Sequence, residues 1–361
     1  MNTNNIMNFG LLVLIQCFAQ TNIRAQVNIE TSAIPVFWEL VDTLSADQAP
    51  SNELWEKFAD HPAYAQIEQS GNRVSYLKRV LPIVFRPSKA DKLRDVLNGK
   101  ESFQQYLAQH LVEINLRRQE LNEYLQPGKI DQYKDAYKRS LKYLPKDIQA
   151  LPIDLTIYIA LFEDNGFGGK VIVLDLLHML KATDEENMDF LGHEFHHALR
   201  NQSKMYEIFV PKDSSSLPII SALNKLPLEG VACMIDNKKY FQPSYSYEKG
   251  VTSTSQQETV AEFKDHVEKA GAYLKQIDSI LSGNKSNEEK GKAIFGVMPW
   301  SGHTIGFYMA TAIENAFGKE KLIEVQYSSP DFLLTYQKAA ANQSALYSFS
   351  EKTINFLTSI K

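Results

Sequence analysis

The amino-acid sequence predicts a predominantly α-helical α+β protein, and three features predict it. Apolar residues recur at helical spacing before about residue 145 and again after residue 184. Between those regions two short β-rich runs, Leu155–Ala160 and Lys170–Asp175, flank a glycine-rich turn. Hydrophobic residues make up 44% and charged residues 22% of the chain, so a folded globular protein is expected rather than long disorder.

Taken in order, the first element is an apolar run, Phe9–Ala19, too short to span a bilayer comfortably as a helix. Polar residues and then Ile23-Arg24-Ala25-Gln26 follow, the layout of a secretory signal peptide cleaved after Ala25 or Ala19. The run departs from that layout in having no Lys or Arg before it. Cys17 gives a faint lipoprotein-like box, although Gln16 stands where a small residue belongs. With residues 1–25 removed, Cys233 is the one remaining cysteine, so no internal disulfide is available. The expectation is an exported protein, periplasmic or extracellular, without stable membrane insertion once the leader is gone. Lipid anchoring at Cys17 is the minor alternative.

Residues 26–150 are expected to form a helical N-terminal region. Val36, Phe37, Leu40, Val41 and Leu44 share one helix face, as do Leu107, Leu111 and Ile114. Ser51 and Ser88 read as helix N-caps, and Pro127-Gly128 and Pro145 punctuate the run. Residues 151–361 are expected to form a second region. Its first part, 151–215, holds the two strands and a helix over 185–200; Asn165-Gly166 and Gly168-Gly169 read as a hairpin or crossover turn. A helical lobe over 216–361 follows, with helices at 217–238, 253–282, 303–317 and 331–341. The net charge of −5 and the scattered basic residues give a nucleic-acid partner no support.

The chemistry concentrates in Leu191-Gly192-His193-Glu194-Phe195-His196-His197. On a helix, residues four apart lie on one face, so His193 and His197 can offer their imidazoles to one metal ion. Glu194 lies about 100° round, beside such a metal rather than on it, where a carboxylate can accept a proton from water. A catalytic zinc needs a third protein ligand and an open position. Glu229 in Leu228-Glu229-Gly230-Val231-Ala232 is the candidate, because a carboxylate among such residues is costly to bury without a cation. Gly230 and Ala232 are small enough to let that helix approach the His193–His197 helix closely.

H-E-x-x-H followed by E-G-x-A on a later helix resembles the glutamate-zincin metallopeptidases, and more narrowly exported zinc-dependent peptidases of bacteria. The resemblance covers about residues 151–325. It implies a zincin-like core, in which a small sheet packs on the motif helix, followed by a helical lobe carrying Glu229. It also implies one Zn²⁺ per chain on His193, His197 and Glu229, Glu194 as general base, and a peptide or protein substrate. Trp300-Ser301-Gly302-His303-Thr304-Ile305-Gly306-Phe307-Tyr308 echoes a late helix of these peptidases on which a Tyr often faces the metal. His303 holds the matching position here, so His303 and Tyr308 are the candidates for stabilising the oxyanion. Some related enzymes place an Asp one turn after the glutamate; Cys233 stands there, leaving Asp236 or Asp175 to orient a ligand histidine. Two other readings stand beside the peptidase: a zinc protein that binds peptides or other ligands without turnover, and a helical binding module in which the motif is accidental.

Overall fold

A computed structural model describes residues 26–361 apart from 70, 72, 101, 127, 203–208, 244 and 246–253. The expected leader and Cys17 lie outside the described residues. Among the described residues the chain is mostly helical, with one four-stranded sheet, so the α+β expectation holds. The strands are β1 (Gln26–Glu30), β2 (Asp154–Ala160), β3 (Gly166–Gly168) and β4 (Ile172–Asp175). Their order is β1-β2-β4-β3; β1 and β4 run parallel to β2, and β3 runs antiparallel to β4.

Two strands were not expected from the sequence. β1 lies within the region expected to be helical, yet its residues pair with Asp154–Tyr158 across the sheet. β3 is Gly-Phe-Gly, read as a turn; glycine has little strand preference, and only pairing with β4 extends it.

The helices that build the site are α1 (Ala33–Ser45), α2 (Arg73–Phe85), α3 (Phe103–Leu116), α4 (Leu176–Lys181), α5 (Asp184–Gln202), α6 (Leu217–Leu223), α7 (Lys225–Asp236), α8 (Thr254–Glu268) and α9 (His303–Phe317). Ser51 caps a helix as expected, accepting from the Leu54 N–H at 3.3 Å. Ser88 does not: its hydroxyl donates to Asp47 at 2.6 Å, and Lys89 precedes the following helix. By length and composition alone, Ser214–Asp236 is long and apolar enough to cross a membrane. Two thirds of its apolar window is buried inside the protein, where α6 and α7 supply core residues.

Hydrophobic packing divides the chain later than residue 151. The first core gathers α1, α2, α3, the sheet and the inner face of α5, from Val27 to Leu199, with Tyr327 joining from afar. The second gathers Tyr143 and residues from Ile219 to Leu357. Asp175 ties the N-terminal helices to the sheet. Its carboxylate accepts from the backbone N–H of Phe162 and of His178, both at 2.9 Å, and lies 3.1 Å from His110 Nε2 on α3.

The second core is organised by a backbone contact between α7 and α9. A Cβ on Gly230 would lie 2.2 Å from the Gly306 carbonyl carbon, and one on Gly306 would lie 2.2 Å from the Leu226 oxygen. Gly230 therefore admits α9, not α5 as the sequence suggested. The close approach to α5 is made instead by Gly192, whose Cβ would fall 3.0 Å from Ile235 Cγ2. Gly230→Ala should destabilise the fold by about 1–3 kcal/mol or more, because backbone cannot move aside as a side chain can. Urea unfolding of the variant against wild type measures it.

Candidate metal centre

α5 begins with a reciprocal cap. Thr183 Oγ1 accepts from the Glu186 N–H at 3.2 Å, and Glu186 Oε2 accepts from the Thr183 N–H at 2.9 Å. Three acidic residues in its first turn complement the helix dipole. Two turns on, the helix presents His193, Glu194 and His197, all buried, to a cleft between the two cores.

Four side chains converge there. His193 Nε2 and His197 Nε2 are 3.0 Å apart. Glu229 Oε2, arriving on α7, lies 3.0 Å from His197 Nε2 and 3.7 Å from His193 Nε2. His303 Nε2, from the first residue of α9, lies 3.3 Å from the same oxygen. A tetrahedral cation with bonds of about 2.0–2.2 Å separates its ligand atoms by roughly 3.3–3.6 Å. The observed separations bracket that range, so these donors fit a zinc-sized ion. The other oxygen, Glu229 Oε1, lies 3.4 Å from Lys225 Nζ.

The electrostatics follow from this crowding. Burial disfavours the Glu229 carboxylate, but His303, His197 and His193 outweigh it and hold its pKa well below the usual range. Burial likewise opposes charge on His193, yet Asp236 beside it raises its pKa well above normal. Asp236 Oδ2 lies 3.2 Å from His193 Nδ1, so of the two carboxylates considered it is Asp236 that meets the ring, while Asp175 serves the sheet. Burial pushes the Cys233 thiol up to about 12. Cys233 and Asp236 can form a trio of donors with His193. A histidine that gives Nε2 to the central cluster has only Nδ1 for this trio, so the trio is better read as its support. His196, fully buried, is kept neutral by desolvation and lies outside the cluster.

Glu194 stands beside the donors, and burial raises its pKa despite the two neighbouring imidazoles. The Gly168 N–H donates to its carboxylate. A Cβ at Gly168 would fall 2.4 Å from the Glu194 carbonyl oxygen and 2.8 Å from Oε2, so only glycine lets β3 lie this close to α5. Sequence reasoning missed this partner because a glycine in a turn-like run carries no sign of what its N–H will meet.

Tyr308 is a correction. Five residues after His303 it lies about 140° round α9, and its ring packs 6.1 Å from Tyr336 inside the second lobe. The structure brings His303 into the cleft and leaves Tyr308 out.

The cleft has a volume of about 1070 Å³ and runs from Lys225 and Trp300, past the donors and β3, to Arg73 and Tyr106. The N-terminal region therefore supplies one end of it, which nothing in the sequence signalled. There Arg73 pairs with Glu163 at 3.0 Å and sits 4.7 Å above the Phe103 ring, while His178 Nδ1 meets Asp164 at 2.6 Å.

A family model described as "Putative zinc dependent peptidase (DUF5700)" matches residues 55–345. The chain belongs to this family. No curated protein and no solved structure matches the chain. The family's match takes in the whole donor cluster and, with Arg73 and Tyr106, the far end of the cleft as well.

Burial opposes the charged form of Asp164, but His178, His110 and Lys181 outweigh it and lower its pKa to about 2. A depressed folded-state pKa stabilises the fold fully above the unfolded value of about 3.9. That contribution is lost as pH falls through about 2. Asp164→Asn should therefore be less stable than wild type at neutral pH, with the gap closing in acid. Urea midpoints of both proteins across the acid range test this.

Proposed function

We propose that the protein is a zinc-dependent peptidase with the metal held by His193, His197 and Glu229 and with Glu194 as general base. The observation that carries this reading is the meeting of two imidazole nitrogens and a carboxylate oxygen at 3.0–3.7 Å beside a second, desolvated carboxylate. When bound, zinc would polarise the scissile carbonyl and lower the pKa of a water to about 7. The protein's own groups supply the rest. Glu194, oriented by the Gly168 N–H, takes a proton from the attacking water and delivers it to the leaving amine. Asp236, its Oδ2 3.2 Å from Nδ1, is placed to hold a proton on that nitrogen and so leave the Nε2 lone pair for the cluster. The geometry of a small sheet laid on the motif helix, with Glu229 on a later helix, supports a zincin-like core.

A peptide substrate is supported by β3. It is the terminal strand of the sheet and lies along α5 beside Glu194. An extended peptide can add to such an edge through main-chain hydrogen bonds, which places its carbonyls next to the donor cluster.

Purified wild type should carry one zinc per chain, and His197→Ala and Glu229→Ala should lose it; a wild type that stays metal-free after zinc addition and dialysis would sink the reading. Glu194→Gln should keep its zinc and lose about 10²–10⁴-fold in cleavage of a quenched-fluorescent peptide library. Undiminished turnover in that variant would remove Glu194 from the role. Asp236→Ala should bind zinc about 10–100-fold more weakly in chelator competition, with the fold intact.

A further inference from the structure

His303 does more at this centre than line it. Its Nδ1 makes a short hydrogen bond with the carbonyl oxygen of Trp300, and an oxygen acceptor there requires the proton to sit on Nδ1. The neutral ring then presents a bare lone pair at Nε2. Nε2 lies 3.3 Å from Glu229 Oε2, and without a proton or a metal ion both atoms are acceptors. Such a pair calls for a cation between its atoms, a proton or a metal ion. The neutral ring has no Nε2–H to donate to an oxyanion, the part the sequence suggested for this residue.

The ring's neighbours agree. His303 lies parallel to His193, with centroids 5.5 Å apart and planes inclined by 9°. One donor atom from each of His193, Glu229 and His303 falls within 4.8 Å of the others. Glu229 Oε2 is the common neighbour of three imidazole nitrogens, at 3.0, 3.3 and 3.7 Å.

The backbone holding His303 is unusual. Trp300 (φ 49°, ψ 43°) and Ser301 (φ 52°, ψ 28°) are both left-handed, and Gly302 follows at φ 97°. Two consecutive non-glycine residues in that region are strained, and strain of this kind persists where the surroundings over-determine it. Here Trp300 anchors the turn: its indole N–H donates to Glu262 at 3.2 Å, and its ring meets Phe263 edge-on at 5.6 Å. Release of that turn would carry His303 away from Glu229.

Resting on the proposed function, we infer that His303 is a fourth, exchangeable ligand of the zinc. The resting centre is then closed by four protein donors, and hydrolysis requires His303 to leave, since a catalytic zinc needs an open position. The left-handed turn at Trp300–Gly302 is the segment that lets it go.

The test compares zinc-loaded wild type with His303→Ala. X-ray absorption at the zinc edge should count three imidazoles in wild type and two in the variant. Zinc affinity should fall by more than about tenfold, the least expected from removing even a group that only supports a ligand. Acetohydroxamic acid, a small zinc-chelating probe, should bind the variant more tightly because its fourth position is open. Added imidazole should restore the three-imidazole signature in the variant. Should His303→Ala fold poorly, His303→Gln serves for the same measurements. Two imidazoles in wild type, with equal zinc and hydroxamate affinities in both proteins, would overturn the inference and leave the proposed peptidase standing. A wild type that takes up no zinc would overturn both.

Discussion

The structure depends on keeping one carboxylate, Glu229, buried among imidazoles. An ionised group of this kind is tolerated away from water only where opposite charge or a metal surrounds it. Its partners come from both cores: His193 and His197 from α5, packed on the sheet, and His303 from α9 in the second lobe. Much of the surrounding packing serves that meeting. Gly192 lets α7 approach α5, and the Gly230–Gly306 contact brings α9 onto α7. Gly168 lets the edge strand reach Glu194. Three helices and a strand thus converge through missing side chains.

What could be read from the sequence was what local spacing determines. The four-residue interval between His193 and His197 fixes their shared face on any helix, and Glu194 follows at a known angle. Glu229 was legible for a different reason, as a charge that its apolar neighbours could not bury alone. His303 and Tyr308 were indistinguishable in sequence, because the choice between them is the rotation of α9 about its axis. That rotation is set by the contact with Leu226 and Gly230, far away in the chain. The same limit hid β1 and β3. β1 does alternate polar and apolar residues, with Val27 and Ile29 between Gln26, Asn28 and Glu30, but five residues beside a long helical run are easily passed by, whereas Gly-Phe-Gly has no strand pattern and is a strand only because β4 supplies the ladder. Asp236 was one of two carboxylates considered; its position two turns after Glu229 brings it to His193, whereas Asp175 is committed to α4, Phe162 and His110.

The N-terminal helices acquire a purpose from the same geometry. Asp175 binds α3 to the sheet through His110, and α2 and α3 then carry Arg73 and Tyr106 to the end of the cleft. Both residues are thereby walls of the cleft that holds the donor cluster. The pairing of Arg73 with the buried Glu163 leaves both signs of charge at that end of the cleft.

The division between the cores has a consequence for how the protein comes into being. A chain made from its N-terminus completes the sheet and α5 while Glu229 and His303 are still to be added. At that stage the two motif histidines and Glu194 stand without the carboxylate and the imidazole that face them in the finished fold. The third and fourth donors arrive only when α7 and α9 pack together, and the core in which they pack draws on residues as late as Leu357. In a chain made from its N-terminus the four-donor cluster is therefore the last part of the molecule to be assembled.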